Sequence, residues 1–115
     1  MSFRDNCLPI DNPKKIEILL NFSEEQFQKI IKGFYPCNME DKWLIYYENK
    51  CLHFHRSWTG FEIYKAEILK KPDGYLISEF LVERNQEKYQ NSDDNYDITL
   101  FKDLIFGWLL YDEKL

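Results

Sequence analysis

Between His53 and Tyr64 the chain reads His-Phe-His-Arg-Ser-Trp-Thr-Gly-Phe-Glu-Ile-Tyr, crowding a guanidinium, two hydroxyls, an indole and a glycine onto what should be a strand-to-strand junction. These are the groups that grip an anion and stack on a planar ring. Arg56 offers a two-pronged donor to phosphate, Ser57 and Thr59 add neutral hydrogen bonds, and Gly60 lets the backbone approach closely. Trp58 or Tyr64 supplies a ring face, with Trp43 and Tyr47 as further aromatics on the preceding strand. On a strand from Cys51 to Arg56, side chains alternate, so Leu52, Phe54 and Arg56 share one face while Cys51, His53 and His55 share the other. If Leu52 and Phe54 face the core, Arg56 follows them inward. A buried guanidinium then requires either a carboxylate or a ligand anion. Glu62, placed by alternation on the face of Tyr64, and Glu79, which interrupts an apolar run, are the internal candidates.

Other chemistry is less well supported by the spacing. Cys51-x-His53-x-His55 puts three metal-capable groups on one strand face, but successive positions on a straight strand lie about 7 Å apart, so only two reach one ion easily. No metal is assigned, and the histidines read as a solvated face. His55 close to Ser57 does not make a nucleophile and base without an orienting carboxylate. Acid pairs could be drawn from Glu40 and Asp41 or from Glu62 and Glu79, yet sequence does not give their separation. A P-loop, an HxE and a glycine-rich dinucleotide fingerprint are all absent from the sequence. The expectation is a binder without catalytic residues or cofactor.

The 115 residues make a single domain, 1–115, with 44% hydrophobic and 17% aromatic residues. A net charge of −5 opposes binding to a nucleic-acid polymer, whose affinity comes mainly from phosphate attraction. It does not oppose a small anion, because one arginine acts locally and diffuse charge is screened beyond about 10 Å. Three cysteines, Cys7, Cys37 and Cys51, show no paired spacing, which fits a reducing compartment. Met1-Ser2-Phe3-Arg4-Asp5 has no apolar signal core and no run is long enough to span a membrane, so a cytoplasmic protein without membrane contact is expected.

The pattern along the chain predicts an α+β fold: an antiparallel meander of about four strands packed with an N-terminal helix and a C-terminal apolar helix. Ser23 and Gln26 form a capping box, Phe22 and Phe27 have staple spacing, and Phe27, Ile30, Ile31 and Phe34 make one stripe before Gly33 and Pro36. Lys15 to Phe22 fits a strand or an extended lead-in. Strands are predicted at Trp43 to Glu48, Cys51 to Arg56, Phe61 to Leu69 and Tyr75 to Arg84, with turns at Glu48-Asn49-Lys50 and Lys71-Pro72-Asp73-Gly74. Arg84 to Asp97 has almost nothing to bury and predicts a mobile loop, able to serve as a lid. Ile98 to Tyr111 is apolar nearly all round, with Phe101, Leu104, Ile105 and Trp108 as its main stripe. Burial on the sheet accounts for it, or a homodimer through this helix.

The runs Met39-Glu40-Asp41-Lys42-Trp43-Leu44-Ile45-Tyr46-Tyr47, Leu52-His53-Phe54-His55-Arg56-Ser57-Trp58-Thr59-Gly60 and Ile63-Tyr64 resemble a signature of small bacterial and phage proteins. That resemblance implies systems handling ADP-ribose or NAD-derived nucleotides, including phage sponge proteins that sequester the cyclic ADP-ribose signals of Thoeris-type defence, in the host cytoplasm. The leading expectation is therefore capture of a small anionic nucleotide by Trp43, Tyr47, His55, Arg56, Ser57, Trp58, Thr59, Gly60, Glu62, Tyr64 and Glu79. Two alternatives stand beside it. One is an acidic immunity- or antitoxin-type domain acting through Glu83, Glu87, Asp93 and Asp94. The other is a hydrolase of ADP-ribose linkages using Glu62 or Glu79 as general base.

Overall fold

The computed structural model describes residues 8–37 and 41–110; Met1 to Asp5, Cys7, Met39, Glu40 and Tyr111, which figure in the sequence reading, lie outside them. The element order is β1 (Pro13–Phe22), α1 (Glu24–Ile30), β2 (Trp43–Glu48), β3 (Cys51–Arg56), β4 (Glu62–Glu67), β5 (Leu69–Lys71), β6 (Gly74–Glu83) and α2 (Asp94–Asp103), continued by a π-helical segment (Leu104–Leu109). The class is α+β as expected, but the antiparallel sheet has six strands rather than four, in the order β1-β6-β4-β3-β2 with β5 also on β6. Two features account for the difference. The predicted strand from Phe61 to Leu69 breaks at Ile68, whose amide turns to the Lys50 carbonyl, and the lead-in before α1 is a full strand on the outer edge of β6.

Local chemistry explains most element ends. The Ser23–Gln26 capping box forms in both directions, and Gly33 leaves α1 with φ +71°, in the left-handed region that favours glycine. Asn49 and Lys50 both take positive φ, the geometry of the two-residue turn between β2 and β3. Phe27 stacks on Tyr75 at 3.8 Å, whereas Phe22 lies against Phe106.

Both helices pack on one face of the sheet. Phe101 of α2 stacks on Phe80 at 4.1 Å and meets Phe54 and Tyr64, all fully buried. The stripe expected for the C-terminal helix shifts at its end. Wider π-helical winding, marked by the Leu110 amide bonding the Ile105 carbonyl, brings Leu109 into the core in place of Trp108. Trp108 sits edge-on against Phe34 instead, partly exposed like Phe106.

The segment from Arg84 to Asp97 is not the unpinned loop that its polarity predicts. Tyr89 is 6% exposed, and Asp97 is fully buried as the acceptor for four side chains. Its Oδ1 takes the hydroxyl protons of Tyr64 and Tyr89, each at 2.6 Å, and its Oδ2 takes Arg84 at 2.6 Å and Asn91 at 3.0 Å. Arg84 also holds Asp94 at 2.7 Å and the Asn91 carbonyl. A buried carboxylate satisfied this completely fixes the loop against the sheet.

Candidate functional site

Where β3 ends, the chain makes a short turn over residues 57–60. The Gly60 amide closes it on the Arg56 carbonyl at 2.8 Å, and Gly60 itself takes φ +78°, a conformation that L side chains rarely adopt. The turn lifts Trp58 and Thr59 beside Arg56. The pinned loop supplies the opposite wall with Lys88, Tyr89, Gln90 and Asn91, and α2 and the start of β2 add Tyr96 and Lys42. Together they enclose an open cleft of about 580 Å³.

Arg56 is the centre of this cleft. Its guanidinium carbon lies 4.5 Å from the ring centroid of Trp43, which is 4% exposed and stacks in turn on Tyr64. Tyr89 flanks it at 5.9 Å. The guanidinium thus sits over an aromatic stack. Among the described residues no carboxylate forms an ion pair with it. Among the described residues, the nine that line the cleft include three cations, Lys42, Arg56 and Lys88, and no acid.

Both predicted internal partners of Arg56 lie elsewhere. Tyr64 pairs with Phe54, but Glu62 rather than Ile63 pairs with His55, so β4 bulges by one residue. The bulge reverses the alternation, turning Glu62 away from the face of Tyr64 and into the cluster of His53 and His55. Glu79 is exposed and lines a different hollow with Cys51, Lys65 and Glu67.

Of the other residues singled out in the sequence, Arg56, Trp58 and Thr59 are brought together in the cleft. Trp43 forms the layer beneath Arg56, and Tyr64 is buried below that with its hydroxyl committed to Asp97. The Ser57 hydroxyl donates to the Asp41 carbonyl at 2.6 Å, and the Gly60 amide is taken by the turn. Tyr47 sits at the far end of β2, edge-on to Phe27. His55 lies on the opposite face of the sheet and is 2% exposed, so the solvated-face expectation for the histidines fails for it. Lys42, Lys88, Tyr89, Gln90, Asn91 and Tyr96 were missed. A signal was present: two aromatics, Tyr89 and Tyr96, in an otherwise polar stretch need something to pack against.

On the reverse face, His53 Nδ1 is 2.6 Å from Glu62 Oε2, and His55 Nε2 is 3.5 Å from the same oxygen. Burial opposes ionisation of Glu62, but the hydrogen bonds and charge of His53 and His55 outweigh it, holding the carboxyl at about 2. Burial and then the bond to Asp97 push Tyr89 up to about 12, and Tyr64 is raised by the same causes. For Arg84, burial disfavours the cation, yet bonds to Asp94 and Asp97 more than offset it and raise its pKa.

Comparison with family models, with curated proteins and with solved structures found no match to this chain.

Proposed function

We propose that this chain is a binding domain that captures a small phosphate-containing nucleotide in the cleft over Arg56, with an NAD-derived signal such as a cyclic ADP-ribose as the favoured ligand class. One observation carries the reading: in a protein of net charge −5, a guanidinium stands in a cleft lined by two lysines and, among the described residues, has no carboxylate partner and no acid beside it in the lining. Arg56 holds phosphate, Lys42 and Lys88 add charge, and Trp58, Tyr89 or Tyr96 offers a face to the base. Gln90 and Asn91 can read a ribose or base edge. Charge-assisted bonds contribute about 1.5–3 kcal/mol each and a stacked base about 1–3 kcal/mol, so three or four such contacts support micromolar binding. The NAD-derived class comes from the resemblance of the Arg-Ser-Trp-Thr-Gly signature.

The alternative readings have less to work with. Of the acids proposed to meet a protein partner, Glu83 is buried and accepts the amides of Asp11, Asn12 and Asn85. Asp93 caps α2, and Asp94 is paired with Lys14 and Arg84. For hydrolysis, neither Glu62 nor Glu79 lines the cleft.

The test is thermal unfolding of the purified protein against NAD, ADP-ribose, cyclic ADP-ribose isomers and cyclic dinucleotides, since a ligand of the native state raises the midpoint. A shift with one compound that Arg56→Ala abolishes, with the compound recovered unchanged, is the expected result. No shift across the panel, or equal binding by Arg56→Ala, overturns the assignment, and a consumed compound turns the reading to the hydrolase.

A further inference from the structure

The reverse face of β3 carries a second constellation that the cleft does not use. His53, His55 and Glu62 each present one ligand atom, all within 4.8 Å of one another. We propose that His53 Nδ1, His55 Nε2 and Glu62 Oε2 bind a divalent transition ion of the zinc class.

Ligand bonds of about 2.0–2.1 Å place tetrahedral neighbours about 3.3 Å apart; Glu62 Oε2 lies 3.5 Å from His55 Nε2, close to that spacing, and 2.6 Å from His53 Nδ1, a hydrogen-bond distance that an ion entering between them would lengthen by about 0.7 Å. Two imidazoles and a carboxylate favour zinc, cobalt, nickel or iron over magnesium or calcium, which prefer all-oxygen shells.

The hydrogen-bonding around the cluster points the same way. His55 Nδ1 is 2.8 Å from the Gly60 carbonyl, an acceptor only, so Nδ1 carries a proton and Nε2 is the ring atom that faces Glu62 and the Tyr46 hydroxyl. Glu62 Oε1 is held by the Ile10 amide at 3.3 Å, which fixes the carboxylate from its other side. A backbone carbonyl behind the histidine and an amide behind the carboxylate are the outer partners that orient metal ligands. Tyr46, whose hydroxyl is 3.3 Å from His55 Nε2, stands beside the fourth position and stacks on both imidazoles.

The bulge in β4 is what assembles the site, because without it Glu62 would face the opposite side of the sheet. His55 and Glu62 are almost fully buried and His53 is 15% exposed, so the ion would tie β3 to the start of β4 as a structural centre.

The competing account is a metal-free network in which a proton on His53 bridges to Glu62. Chelator-treated full-length protein titrated with Co²⁺ and Zn²⁺ separates the two. Expected are one equivalent bound, the intense visible bands of four-coordinate cobalt, and a higher unfolding midpoint with zinc. His53→Ala should weaken binding by more than the roughly 10–100-fold typical of losing an outer partner, while Cys51→Ser leaves it unchanged. The chain has only two histidines, so the ring-nitrogen resonances of ¹⁵N-labelled wild type give a readout that needs no variant. Zinc should move Nδ1 of one ring and Nε2 of the other. Failure of wild type to take up either ion stoichiometrically, unmoved ring nitrogens, or equal binding by His53→Ala would overturn the proposal.

Discussion

Arg56 and Arg84 stand at the ends of neighbouring parts of one sheet, and among the described residues only one of them has its charge answered. Arg84 meets Asp94 and Asp97 at 2.7 and 2.6 Å and donates to the Asn91 carbonyl as well. Arg56 lies over the ring of Trp43 and opens onto a cleft whose described lining residues include no acid. The first arginine is a fastener that pins the loop forming one wall of the cleft. On the proposed reading, the second is left for an anion from outside. The lesson is that partial burial of an arginine says little about its role until its counter-charges are counted.

Removing one partner from the Arg84 pair should give the largest effect. Arg84→Ala leaves Asp97 buried without its cation, and breaking a buried pair in this way costs about 3–5 kcal/mol. Arg56→Ala takes away a stacked side chain but strands no described carboxylate, so its cost should stay near 1 kcal/mol, the scale of a cation–π contact. Urea unfolding of both variants measures the contrast. Equal losses of stability would mean that Arg56 is a fastener too.

The same buried carboxylate predicts how the loop responds to alkali. Tyr89 holds its proton up to about 12, against an ordinary value of 10. A raised acid contributes stability that is complete below the unfolded value and disappears as pH climbs through the folded one. The loop's anchoring should therefore be intact below pH 10 and weaken between about 10 and 12, by on the order of 2–3 kcal/mol. Unfolding midpoints across that interval should fall more steeply for the parent than for Tyr89→Phe. Parallel decline in the two proteins would detach Tyr89 from the network.

Arg56→Ala then tests the cleft itself. Losing one charge-assisted contact of about 1.5–3 kcal/mol should weaken nucleotide binding about 10- to 100-fold, read by calorimetry. Arg56→Lys should restore little, because an ammonium cannot lie flat on Trp43 while presenting two parallel donors. Full rescue by lysine would reduce the site to a point charge.

Much of this layout is legible in the residues. Alternation and turn chemistry predict β2 and β3 to the residue, and the Ser23–Gln26 box starts α1 where it is expected. Arg56, Trp58 and Thr59 are legible as a group because they are contiguous. What escapes has a common physical cause: it depends on long-range pairing. The bulge at Ile63 sends Glu62 to the other face, and no local preference of Phe61-Glu62-Ile63-Tyr64 announces it. Polarity makes the 84–97 stretch look unanchored, whereas Asp97 gathers Arg84 and Tyr89 from that stretch and ties them to Tyr64 of β4. The missed half of the cleft follows directly, since Lys88, Tyr89 and Asn91 face Arg56 only because that loop is pinned.

Trp58 offers the finest distinction between fastening and binding. Trp58 is 71% exposed on the lip of the cleft, so its truncation should cost far less stability than the loss of Arg84. A base stacked on it would be open to water on one side, which puts its contribution near the lower end of the stacking range, about 1 kcal/mol, or roughly a fivefold loss of affinity for Trp58→Ala. Quenching of its fluorescence on nucleotide addition reports the contact directly, provided that Trp43 and Trp108 are first replaced by phenylalanine in separate backgrounds to apportion the signal. Quenching without any affinity loss in Trp58→Ala would make the indole a bystander at the rim. The base would then belong on Tyr89 or Tyr96, on the wall that the Arg84 fastener holds in place.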